Sequence, residues 1–71
     1  MSMLKVIEVL AQSDKSWEDA AQTAISQACK SVDNVRSIYI KELEGTVENG
    51  KITSYRINGK ISFTLKGTES L

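Results

Sequence analysis

The chain has 71 residues with nine basic and nine acidic side chains, a formal net charge of zero, one cysteine and no histidine. That length makes it a single domain, 1–71, in a size range where one core seldom supplies more than about 3–5 kcal/mol, so disulfides, a metal or self-association usually help. One cysteine rules out an internal disulfide, the missing histidines and cysteine clusters rule out a structural zinc site, and zero charge without a basic run argues against nucleic acid, which leaves self-association as the support.

No apolar segment is long enough to span a bilayer, and the first residues show strand-like alternation instead of the pattern of a signal peptide. A cytoplasmic, reducing location fits the lone Cys29.

Leu4 to Gln12 reads as a strand that is nearly apolar on both faces, as a central or interface strand is. Glu8 within it reads as an interface salt-bridge partner. Ser13-Asp14-Lys15 is a polar turn. Ser16 has the character of a helix N-cap with Asp19 three residues on, and Glu18 and Asp19 sit in the positive first turn. From Trp17 the apolar residues Ala20, Ala21, Ala24, Ile25, Ala28, Cys29 and Val32 form one helical stripe. Its alanines let the helix lie close to a sheet. Trp17 and Cys29 both read as packing residues. Asp33-Asn34 ends the helix.

Val35 to Gly45 is a second strand, with Ile38 and Ile40 on one face and Ser37, Tyr39, Lys41 and Leu43 on the other. Asn49-Gly50 is the strongest short hairpin signal, since both residues tolerate positive φ. The third strand alternates from Thr53 to Leu65. Tyr55, Ile57, Ile61, Phe63 and Leu65 share one parity, and Ser54, Arg56, Asn58, Lys60, Ser62 and Thr64 share the other. Gly59 within it marks a bend, a bulge or a close backbone approach. Lys66 to Leu71 is a short polar tail.

The order is therefore β-α-β-β: an α+β fold with a three-stranded antiparallel sheet curled around one helix. Ile38, Ile40, Ile57, Ile61, Phe63 and Leu65 meet Ala20, Ala24, Ile25 and Ala28. The single helix covers one side of the sheet. The other side, carrying Ser37, Tyr39, Lys41, Arg56, Asn58 and Lys60, must meet water or another copy of the chain. No histidine, no Gly-rich phosphate loop and no nucleophile with a base at workable spacing points to an enzyme.

The run Lys5-Val6-Ile7-Glu8, the helix start Ser16-Trp17-Glu18 with Ala20 and Ala21, and the final strand Tyr55 to Leu65 resemble the dodecin family in order and spacing along nearly the whole chain. The resemblance implies a hollow twelve-subunit shell of a non-catalytic storage or sequestering protein, with many members binding riboflavin or FMN between subunits. It also implies a site. Flavin-binding members carry a stacking tryptophan where Ser37 stands here and a flavin-bonding glutamine where Arg56 stands. Some place arginines at the positions of Glu44 and Thr64. Tyr39, two residues along from Ser37, is a candidate replacement ring and an interface residue.

A buried tryptophan covers about 150–250 Å², which at about 25 cal/mol/Å² is an upper bound of about 4–6 kcal/mol. Half of that is a factor of about a hundred in affinity, so flavin is expected to bind weakly or not at all. Arg56 either pairs with a glutamate of a neighbouring subunit, such as Glu42 or Glu44, or binds an anionic ligand. The chain resembles the tryptophan-less, calcium-dodecin type more than the flavin binders, since the last strand of that type also reads Tyr-Arg-Ile as Tyr55-Arg56-Ile57 do. That likeness makes calcium a second ligand to consider. Glu42, Glu44 and Glu48 supply carboxylates, although their spacing matches no calcium loop.

Overall fold

A computed structural model describes residues 3–65. The elements run β1 (Leu4–Ser13), α1 (Trp17–Ser31), β2 (Val35–Glu48) and β3 (Lys51–Thr64). The expected β-α-β-β order is present, and all strand pairs are antiparallel. The polar tail expected from Lys66 to Leu71 lies outside the described residues.

Strand order is β1-β3-β2. The long alternating strand β3 is therefore central, and β1, apolar as it is, lies at an edge. An edge strand with apolar side chains is an interface strand in character, because its unpaired backbone and its side chains both lack a cover. β1 reaches only from Tyr55 to Thr64 of β3, so the far ends of β2 and β3 continue past it as a two-stranded ribbon. The molecule is 54 × 20 × 13 Å.

α1 starts where the polar turn stops. Ser16 is the N-cap, its Oγ accepting the Asp19 N–H at 2.9 Å. Such a cap stabilises a helix by about 1 kcal/mol. The Asp19 carboxylate does not reach back to Ser16; its Oδ2 accepts the Ser13 hydroxyl at 2.6 Å, and Ser13 Oγ in turn accepts the Lys15 N–H at 2.9 Å. The short aspartate thus ties the helix start to the end of β1. The helix ends at Ser31, followed by extended Val32 and by Asn34 at φ 61°. Asparagine tolerates that left-handed conformation better than most residues.

The hairpin has Asn49 at φ 52° and Gly50 at φ 76° between the paired residues Glu48 and Lys51. Positive φ at both loop residues is the twist that suits a two-residue hairpin.

Ala20 and Ala24 of the helix and Ile57, Ile61 and Phe63 of β3 are the buried hydrophobic core. The small helix side chains let α1 settle onto the central strand. Gly59 serves a different close approach, between strands: a Cβ there would lie 2.6 Å from the Tyr39 carbonyl oxygen of β2. Of the three roles expected for this glycine, the structure assigns close backbone approach. Cys29, expected in the core stripe, is exposed. The helix touches a narrow sheet, so only the centre of its stripe is covered and a residue at the stripe's margin stays in solvent.

Strand β2 departs from simple alternation. Its register against β3 shifts between Val35 and Ser37, between Ile40 and Glu42, and between Thr46 and Val47. The second shift sets Lys41 aside as an extra residue and reverses the parity beyond it. Leu43, expected beside Ser37 and Tyr39, instead shares a rung with Ile57, while Glu42 and Glu44 take the rungs of Asn58 and Arg56. Strand β2 also runs to Glu48, three residues past the expected end at Gly45.

Candidate groove on the uncovered sheet face

The sheet face away from α1 combines residues from all three strands. β1 contributes Leu4, Val6, Glu8, Leu10 and Gln12, which pair with Thr64, Ser62, Lys60, Asn58 and Arg56. Leu4, Val6 and Leu10 are 58%, 53% and 71% exposed. Three exposed aliphatic side chains on one face of one strand, interrupted only by Glu8, are more than scattered surface hydrophobes and mark a face that associates. The second face as read from β2 and β3 was incomplete, because β1 adds these side chains to it.

A groove of about 250 Å³ lies on this face, lined by Leu10, Glu42, Leu43, Glu44, Arg56 and Asn58. Arg56 is its charged centre. Its Nη1 donates to Glu44 Oε1 at 3.3 Å, and its Nε and Nη2 donate to Gln12 Oε1 at 3.3 and 3.0 Å. One guanidinium on the central strand thereby straps both edge strands. Within the chain Arg56 pairs with Glu44, which the bulge at Lys41 brings onto its rung. Beside it, Asn58 Oδ1 is buried with no hydrogen-bond partner among the described residues. A buried acceptor left so costs about 1–3 kcal/mol.

The five residues singled out by sequence do not converge in one chain. Glu44 and Arg56 share the groove. Tyr39, 64% exposed, stands on the rung of Lys60. Ser37 pairs with Ser62, their hydroxyls sharing a hydrogen bond of 2.5 Å. Thr64 is buried, and its Oγ1 accepts from Arg36 Nε at 2.9 Å. From Arg56 to Thr64 the strand covers about 26 Å, at about 3.3 Å per residue. One small molecule cannot touch both ends within a single protomer.

Sequence reasoning missed Gln12, Asn58's orphan acceptor and Arg36. Gln12 and Asn58 were recognisable only once β1 was known to lie against β3. Arg36 occupies the first bulge of β2, which simple alternation does not reveal.

The groove has support from the helix side. Trp17 Nε1 donates to the Glu44 carbonyl oxygen at 2.9 Å, and its ring meets that of Tyr55 edge-on at 4.8 Å. The packing role expected of Trp17 is present, with a hydrogen bond added to it.

A larger apolar crevice, about 460 Å³, runs between β1 and α1, bordered by Ile7, Val9, Ala11, Ala24, Ala28 and Val32 among others. No ionisable side chain lines it.

Among the described residues no three His, Cys, Asp or Glu side chains gather as a metal-binding group. Glu42 and Glu44 border the groove, and Glu44 is engaged by Arg56. One chain therefore falls short of the six to eight oxygens that calcium takes. No helix among the described residues is long and apolar enough to cross a membrane.

The dodecin family model matches residues 3–66. The chain belongs to the dodecin family. It is 42% identical over 67 residues to the calcium dodecin of Mycobacterium tuberculosis, covering 93% of each chain. The crystal structure of that calcium dodecin, described as having a novel calcium-binding site, superposes with a TM-score of 0.77 at 38% identity, covering 99% of this chain and all of the other. A point mutant of the Thermus thermophilus dodecin superposes with a TM-score of 0.87 at 25% identity, covering 96% and 100%. The resemblance read from Lys5–Glu8, Ser16–Glu18 and the last strand is thus borne out, including its lean toward the calcium type.

Proposed function

We propose that the chain assembles with copies of itself, as a twelve-subunit dodecin shell, and sequesters a small ligand without chemistry, through a flavin site that has degenerated. The observation that carries this reading is at Ser37. Where flavin-binding dodecins place a stacking ring, this chain has a hydroxyl already satisfied by Ser62. Arg56, at the glutamine position of those members, is likewise committed to Gln12 and Glu44. Thr64, where some members have an arginine, is engaged by Arg36. Tyr39 remains as an exposed ring on the same face. The exposed aliphatic side chains Leu4, Val6 and Leu10 support closure of that face by sister chains. Native mass spectrometry of the purified protein tests the reading, since it reports subunit number and any retained small molecule together. Riboflavin and FMN emission left unquenched at micromolar protein is the expected companion result, and strong quenching would overturn the degenerate-site reading.

Calcium is the second reading, favoured by the 42% identity to a calcium dodecin. One chain offers Glu42 and Glu44 at the groove, so an ion would take further oxygens from a neighbouring copy. A rise in melting temperature with added calcium supports it, because a ligand that binds only the folded state stabilises that state.

A further inference from the structure

Trp17 and Arg56 lie on opposite sides of the sheet and are joined through the backbone of β2. Trp17 is the first residue of α1 and the single tryptophan of the sequence. On the helix side, its ring sits against the rung formed by Gly45 and Tyr55. The Tyr55 ring is edge-on at 4.8 Å, and a Cβ on Gly45 would come within 3.5 Å of the indole. The next rung is Glu44 and Arg56, whose side chains leave by the other face. The indole N–H closes on the Glu44 carbonyl at 2.9 Å. The side-chain bond between Glu44 and Arg56, by contrast, is 3.3 Å long with the two side chains 68% and 47% exposed. An exposed pair of that kind holds its own geometry weakly. What fixes Glu44 is its backbone, and the backbone is fixed from below.

We propose that Trp17 is a positioning residue for the groove: its indole N–H anchors the Glu44 carbonyl from the helix side, and this sets where the Glu44 carboxylate meets Arg56. The proposal rests on the groove being the ligand site, and it adds a residue outside the groove that governs it. Gly45 lies beneath the ring: a Cβ there would meet the indole at an ordinary 3.5 Å and Ile52 Cγ2 more tightly at 3.3 Å.

Two measurements on the assembled protein test this separately from the ligand reading. The first needs no ligand. Trp17→Phe should speed amide hydrogen exchange around Glu44 and Arg56 and leave that around Lys60, on the same face four residues along, unchanged. Exchange around Glu44 and Arg56 equal to that of the wild type would overturn the proposal.

The second measurement uses Trp17→Phe, which keeps a ring against Tyr55 and Gly45 and deletes the N–H. It should weaken binding of riboflavin or calcium, whichever the wild type takes up, by about fivefold, the worth of one ordinary hydrogen bond. Unchanged affinity would contradict the proposal. If the wild type takes up neither probe, the ligand reading falls, and the hydrogen-exchange measurement alone decides the role of Trp17.

Discussion

Arg56 faces Glu44 across the β2–β3 ladder, Nη1 to Oε1 at 3.3 Å, only because Lys41 bulges out of the intervening register. Without the bulge, Glu44 would take the opposite parity and its carboxylate would lie on the helix side. The pair is half-exposed, so Arg56→Ala should lower stability by no more than about 1 kcal/mol. Thermal unfolding of the assembled protein checks this. A much larger loss would mean that sister chains bury the pair.

Gly59 permits no side chain. A Cβ there would stand 2.6 Å from the Tyr39 carbonyl oxygen, which is backbone and cannot swing away. Gly59→Ala should therefore destabilise by about 1–3 kcal/mol, the usual range for overpacking. Gly50→Ala meets no atoms but sits at φ 76°, so its cost is conformational, about 1 kcal/mol. Parallel denaturation curves should rank Gly59→Ala as the worse of the two.

Ile57 and Ile61 are the largest fully buried side chains. Truncating either to alanine should cost about 2–5 kcal/mol, combining lost transfer energy with a cavity. Leu10→Ala, at an exposed position on the other face, should cost little in an isolated protomer and markedly more in an assembly. The difference between those two costs, read as a concentration dependence of melting, measures how far that face is covered.

Sequence carried the elements well where side chains repeat. The alternation of β3, the Asn49-Gly50 turn, the Ser16 cap and the alanine stripe each impose a local geometry, and each is present. Two things were illegible. Bulges change register by one residue without any residue type announcing them, so the rungs of Leu43, Glu42 and Glu44 were misread. Strand order was also hidden, since nothing local says that β1 pairs with β3. Gln12 therefore came to Arg56 unseen, and Leu4, Val6 and Leu10 joined a face read as polar. Cys29 failed for a third reason: helical periodicity finds the middle of a stripe better than its margins.

Ser37→Trp asks whether Ser37 is the degenerate part of the site. Replacing the hydroxyl that bonds Ser62 with an indole should tighten riboflavin binding by about a hundredfold, from the apolar area of the new ring. Fluorescence titration measures it. No gain would place the lost stacking position elsewhere on the face.

Sedimentation velocity at working concentration tests the account most directly, because the proposed sequestering role depends on closure of the face that bears Leu4, Val6 and Leu10. A single species near the mass of twelve 7.8 kDa chains is the expected result. A stable species at 7.8 kDa would contradict the account.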